Sequence, residues 1–348
     1  MNRTPACCRD DAAEFSRRRF LRVAGVAAAA VPLAARAATD GKPPETLVKS
    51  LYDSLTDKQR GKICFDWNYQ DPTRGLLRTR ISNNWLITEP PVKSGFFTAE
   101  QQAFVRAIFE GLVSPDWIQR FDRQFKDDMG GFGLRQSIAL FGRPGEGPFE
   151  FVMTGRHGTI RCDGNSADHV AFGGPIMYGH AASGYFEEFN HPGNVFWHQS
   201  AAANDLFKTL DGAQRERALL AETPDEARVG FRAKGEKRPG IAVRELSSDQ
   251  KARVQEILRL LIEPYRQSDR DEAVACLKAQ GGLDECSLAF YKDYDLGNDG
   301  IWDNWRLEGP AFVWHYRGAP HVHVWVHVAD DPSVALNAKN DSGALRPK

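Results

Sequence analysis

The chain has almost no net charge: 45 lysines and arginines stand against 46 aspartates and glutamates, a formal −1. That balance argues against a polyanionic partner, and with no basic stripe, zinc finger or RNA-binding signature the sequence points away from nucleic acid. No apolar run reaches the roughly 20 residues that a membrane-spanning helix needs. There is no Gly-x-Ser-x-Gly elbow, no His-Glu-x-x-His helix, and no glycine-rich dinucleotide or Walker loop after a strand. Those absences remove the commonest serine hydrolases, one class of zinc protease and a nucleotide cofactor. Cysteine is scarce, six in 348 residues. Histidine is missing from the first 156 positions, and all nine lie between His157 and His327.

The N-terminus has the form of an export signal. Ser16-Arg17-Arg18-Arg19-Phe20-Leu21 precedes a short apolar run, Val23 to Leu33, and Ala35-Arg36-Ala37 supplies small residues for cleavage. The paired arginines before Phe-Leu make residues 1–37 a twin-arginine signal peptide, with the Tat export machinery as a partner and the periplasm or the medium as destination. No stable membrane span is expected after cleavage. This route carries folded proteins and so suits one that takes up a cofactor before export. Cys7 and Cys8 leave with the signal; Cys64, Cys162, Cys276 and Cys286 remain, either as disulfides with three alternative connectivities or as buried thiols.

Four helix starts share one pattern: Leu55-Thr56-Asp57-Lys58-Gln59, Phe97-Thr98-Ala99-Glu100-Gln101, Leu210-Asp211-Gly212-Ala213-Gln214 and Leu246-Ser247-Ser248-Asp249-Gln250. Each places a capping side chain three residues before a glutamine, which predicts a capping box. Their irregular spacing rules out a solenoid. Strand-like stretches run from Ser137 to Phe141, Phe149 to Thr154 and Gly155 to Cys162, and a second block closes the chain: Ser287 to Lys292, Trp302 to Leu307, Ala311 to Tyr316 and His321 to Val328. Short turns between them suit antiparallel pairing. The expectation is α+β: an antiparallel or mixed β-sheet flanked by helices, in one large domain over residues 38–332, with a polar tail over 333–348. Thr223 to Pro239 reads as a surface loop, a lid or a boundary.

His321-Val-His323-Val-Trp-Val-His327 alternates at period two, so its three histidines share one strand face. His321 and His323 are close enough to chelate one ion, and imidazole is the commonest ligand of transition metals. His157, between Gly155 and Gly158, is the expected third ligand. His180 sits in a glycine-rich loop and is a candidate fourth ligand or acid/base, with Glu187 or Glu188 as base or orienting carboxylate. His327 lies farther along the strand, as a neighbour of the ligands or a rim residue. His191 reads as a turn residue, His169 and His198 as structural or exposed, and His315 as facing away from Trp314 and Tyr316. Asp293, Asp295, Asp299 and Asp303 faintly suggest a calcium loop, but Arg306 stands where its closing glutamate belongs, and a turn is the better reading.

With these segments in hand, the chain resembles a bacterial family, the domain of unknown function 3500, over roughly Leu47 to Asp330. The resemblance rests on Leu51-Tyr-Asp-Ser-Leu-Thr-Asp-Lys-Gln-Arg60, on Phe141-Gly-Arg-Pro with Gly155-Arg-His157, on Leu210-Asp-Gly-Ala-Gln214, and on Leu307-Glu-Gly-Pro-Ala-Phe312 leading to His321-Val-His323. It implies that His157, His321 and His323 belong to one site. Arg156 stands where the family pattern has a second histidine. The family name carries no activity. The combined expectation is an exported metalloenzyme acting on a small organic substrate, with copper or iron redox chemistry ahead of zinc-dependent hydrolysis. The third alternative is a non-catalytic periplasmic protein that binds a metal or another ligand.

Overall fold

The computed structural model describes residues 39, 41–226, 229–232 and 236–334; the expected signal, residues 1–37, and nearly all of the expected tail fall outside them. Among the described residues, eight α-helices pack on a mixed, mainly antiparallel sheet, as the α+β reading expects. The order of elements repeats. The first half runs α1 (Pro44–Ser54), α2 (Asp57–Ile63), β1 (Cys64–Phe65), α3 (Ala99–Leu112), α4 (Ile118–Met129), then a meander of β2 (Ser137–Gly142), β3 (Phe149–Gly155), β4 (Gly158–Cys162) and β5 (Ile176–His180). The second half runs α5 (Trp197–Lys208), α6 (Gly212–Ala218), β6 (Leu219–Leu220), α7 (Ser248–Ile262), α8 (Gln267–Ala279), then β7 (Ser287–Tyr291), β8 (Asn304–Glu308), β9 (Phe312–Arg317) and β10 (Val322–Val328).

In space the sheet is a palindrome, β1-β2-β3-β4-β5-β10-β9-β8-β7-β6, with a two-residue strand at Ile241–Ala242 on β7. β1 lies parallel to β2 and β6 parallel to β7; β5 and β10 meet antiparallel at the centre. The four expected capping boxes all form, on α2, α3, α6 and α7. Their glutamines also join the helices in pairs: Gln59 Nε2 donates to Gln101 Oε1 at 2.8 Å in the first half, and Gln214 Nε2 to Gln250 Oε1 at 3.1 Å in the second. The shared signature therefore marks two copies of one helix–helix junction. Replacing Thr98 with alanine removes the acceptor for the Gln101 N–H and should cost about 1 kcal/mol in urea denaturation; an unchanged midpoint would mean that the cap contributes nothing.

All the helices bury their apolar stripes against one face of the sheet, where Leu140, Phe151, Tyr178, Trp305, Trp314 and Val324 belong to a single core. The other face has smaller clusters, covered by loops. Ala139, Phe141 and Val152 pack under Leu77, Trp85 and Ile87. Met177, Val313 and Trp325 pack under Ile81 and Val229, with Phe231 alongside. Within the expected 223–239 loop, Val229 is buried and packs on this face with Phe231 alongside, so these two residues act as a cover. Cys64, Cys162, Cys276 and Cys286 are all free thiols, so the disulfide alternative is not realised.

Candidate metal centre

The site forms at one end of the sheet, where the β3–β4 turn meets the start of β10. Gly155 pairs with Gly158, leaving Arg156 and His157 as the two turn residues. His157 has φ of +54°, the left-handed conformation that such tight turns demand and that histidine tolerates better than bulkier side chains. Its N–H donates to the Asn83 carbonyl at 2.8 Å. His323 pairs in register with Gly179 on one side and Arg317 on the other, on the loop-covered face; His321 immediately precedes the strand.

The three rings converge. His323 Nε2 lies 3.1 Å from His321 Nε2 and 2.9 Å from His157 Nε2, and the three ligand atoms fall within 4.8 Å of one another. Metal–nitrogen bonds of about 2.0–2.1 Å in a tetrahedral site demand separations of just over 3 Å, so modest adjustment seats one ion. All three residues are at least 97% buried. Among the described residues this is the group of His, Cys, Asp or Glu side chains arranged to hold a metal ion.

The outer nitrogens decide where the protons are. His321 Nδ1 is 2.9 Å from the Tyr185 carbonyl, which can only accept, so Nδ1 carries the proton. His323 Nδ1 is 3.0 and 3.3 Å from the two Glu226 oxygens. His157 Nδ1 is 3.0 Å from Asp128 Oδ2. Each neighbour favours a proton on Nδ1 and leaves a bare lone pair on Nε2. Burial, the adjacent histidines and Arg317 push His321 and His323 far below the ordinary histidine range, so both are neutral. Asp128 would rise on burial, but His157 and the Gln124 amide hold its carboxyl below the usual value. Three facing lone pairs repel one another; a cation relieves this, and neutral imidazoles held through their outer N–H by carboxylates or carbonyls are the usual dress of such ligands.

Glu226 was not legible as a site residue, since nothing in the 223–239 stretch marks it. Its Oε1 also accepts from Trp325 Nε1 at 2.8 Å, and its Oε2 pairs with Arg317 at 3.2 Å. Replacing it with alanine should weaken metal binding 10- to 100-fold by chelator competition, and glutamine less, because glutamine can still accept from His323. Equal affinity in wild type and Glu226→Ala would contradict that role.

His180 ends strand β5 rather than lying in a loop, opposite Val322. Its Nδ1 accepts from the Val195 N–H at 3.2 Å, and its Nε2 is 3.1 Å from Asp127 Oδ2. It is not one of the converging ligands. Glu187 is buried with both oxygens occupied, Oε1 by the Ser183 N–H and Oε2 by the Asn194 amide, while its own N–H donates to Pro320 O beside His321. It clasps the 183–194 loop whose Tyr185 carbonyl orients His321. His169 is exposed against Asp330, and His198 sits in the first turn of α5. Asp295 and Asp299 accept backbone N–H groups of their own turn, from Gly300 and Ile301.

His327 is no rim residue: it is fully buried, with neither ring nitrogen hydrogen-bonded among the described residues. Burial, with Arg306 and Arg161 near, pulls it from 6.5 down to about 3. Below pH 6.5 the unfolded chain therefore takes a proton that the folded chain refuses. Stability is lost as pH falls from about 6.5 toward 3, by about 1.4 kcal/mol per pH unit for this group. His327→Gln should make the drop in urea-denaturation free energy between pH 6.5 and 5 smaller by about 2 kcal/mol; parallel profiles would contradict the assignment.

A family model described as "Protein of unknown function (DUF3500)" matches residues 42–329. No curated protein and no solved structure matches the chain.

Proposed function

The chain belongs to the DUF3500 family, and from that premise we propose that it is an exported metalloenzyme holding one transition ion through Nε2 of His157, His321 and His323. The observation that carries this reading is the set of three Nε2 lone pairs facing one another while each Nδ1 faces an acceptor. Three protein ligands leave a position open, which distinguishes a catalytic from a closed structural site. At that position a bound ion supplies Lewis acidity toward water or redox chemistry with dioxygen.

The protein's own residues hold the geometry. Asp128 and Glu226 fix the outer nitrogens of His157 and His323, and the loop clasped by Glu187 presents the Tyr185 carbonyl to His321. With His321 and His323 neutral and all three rings buried, the site keeps bulk solvent away and strengthens any charge placed inside it. The carboxylates nearest the rings are all committed: Asp128 and Glu226 to ring nitrogens, Glu187 to its loop. That supports copper or iron redox chemistry on a small organic substrate over hydrolysis, which gains from a free general base. The runner-up, zinc with an activated water, fits the same donor set, since three imidazoles with an open position also hold catalytic zinc. Export through the twin-arginine signal at residues 1–37, with the periplasm or medium as destination, completes the proposal. Among the described residues no helix is long and apolar enough to cross a membrane.

Electron paramagnetic resonance on protein exported by its own signal tests the choice of metal. A copper(II) or high-spin iron signal with imidazole nitrogen coupling is expected. A silent spectrum from protein carrying stoichiometric zinc would overturn the redox assignment and leave hydrolysis.

A further inference from the structure

The loop-covered face of the sheet carries a second polar group that the histidine centre does not use. In register, Arg306 on β8 lies beside His315 on β9, and His315 lies beside Trp325, two residues along β10 from His323. Arg306 Nε donates to His315 Nδ1 at 3.3 Å. Because Nδ1 accepts, the proton of the neutral ring sits on Nε2. Burial and the Arg306 charge keep His315 well below the ordinary range, so the ring stays neutral. The Tyr291 ring is 6.4 Å from the His315 ring.

Three buried hydrogen-bonding atoms here lack a partner among the described residues: Arg306 Nη2, His315 Nε2 and Tyr291 Oη. Arg306, His315 and Tyr291 are at most 3% exposed. The first two atoms can only donate, and a tyrosine hydroxyl can donate as well. The Arg306 charge is also weakly met. Of the carboxylates near this group, Glu226 is held by Arg317 and Asp293 by Thr223. Glu308 pairs with Arg306, but Arg232 takes it at 2.5 Å while Arg306 Nη1 reaches it only at 3.4 Å. Two guanidinium groups share one carboxylate, which leaves one positive charge in a place where buried charges need partners. A single negative charge with planar, accepting oxygens complements both the surplus charge and the donors, and the edge of a guanidinium suits a carboxylate. A dianion would exceed the charge available.

We propose that Arg306, His315 and Tyr291 form a binding site for a small carboxylate, next to the histidine centre on the face that Val229 and Phe231 help to cover. The site stands on its own residues; only the further step, that the carboxylate belongs to the substrate of the centre, rests on the metal reading. The centre's substrate is then an organic acid, seated by Arg306 through its carboxylate.

Acetate is the probe. The full-length protein, with and without prior chelation, is titrated with sodium acetate against sodium chloride at constant ionic strength, by calorimetry and by melting temperature. Wild type should bind acetate saturably in both forms. Arg306→Gln should weaken binding at least about tenfold. Tyr291→Phe, which removes one hydroxyl and keeps the ring, should weaken it several-fold, and it tests the site if Arg306→Gln fails to fold. Binding that survives chelation supports the site even if the histidine centre proves to hold no metal. No saturable binding by wild type would overturn the proposal, since the donors then serve water alone. Acetate that binds only the metal-loaded protein, and equally well in both variants, is a ligand of the metal and overturns it too.

Discussion

Replacing His323 with alanine should strip the protein of its metal. His323 is the middle ligand, its Nε2 within 3.1 Å of both partners, and its outer nitrogen ties the centre to Glu226. Losing an orienting neighbour of a ligand already costs 10- to 100-fold in affinity, so losing a ligand should cost more than about 100-fold. The measurement is competition against a chromophoric chelator, with metal content after dialysis as a check. His327→Ala is the matched control: it lies on the same strand and the same face, and its ring is equally buried, but it contacts no ligand in the converging group. It should keep the metal. Should His323→Ala retain a full equivalent, the three rings are not the ligand set.

Chelation should lower the melting temperature of wild type by roughly 8 °C. The ligands come from segments 166 residues apart in the chain, one in each half of the repeated architecture, so an ion bound there ties the two halves together. A ligand held at 1,000 times its dissociation constant stabilises the native state by about 4 kcal/mol. A domain of this size shifts by about 2 °C per kcal/mol. Restoring the ion should restore the transition, and His323→Ala should be insensitive to chelator. A melting temperature unmoved by chelation in wild type would mean that nothing is bound at the centre, or that it binds folded and unfolded chain alike.

The residues that announce themselves by local pattern were legible in the sequence. Thr56, Thr98, Asp211 and Ser247 carry their caps within three positions, and the alternation through His321 and His323 fixes a strand face without knowledge of its partners. What remained hidden depends on distant pairing. Ile176–His180 reads as a glycine-rich loop because Gly179 looks like a breaker. In the sheet, that glycine lies against the Val322 carbonyl, 2.2 Å from where a Cβ would stand, and any side chain would clash. The twofold repetition of the fold was masked by unequal spacings between the four capping boxes, which only their Gln59–Gln101 and Gln214–Gln250 contacts resolve into two pairs. Glu226 and Asp128 have no local signature at all, since a carboxylate that supports a ligand is defined by what it touches and not by its neighbours in sequence. The free thiols follow the same rule: Cys276 and Cys286 are close in the chain, but that closeness does not pair them.

Whether His157, His321 and His323 hold one transition ion is decided by anomalous X-ray diffraction from crystals of protein exported by its own signal. Data collected on either side of the copper, iron and zinc absorption edges identify the element and locate it. A single strong peak is expected about 2 Å from all three Nε2 atoms, at an edge of one of these metals. Density without anomalous signal at that point, or a metal bound elsewhere with the three rings bonded only to one another, would contradict that ligand set.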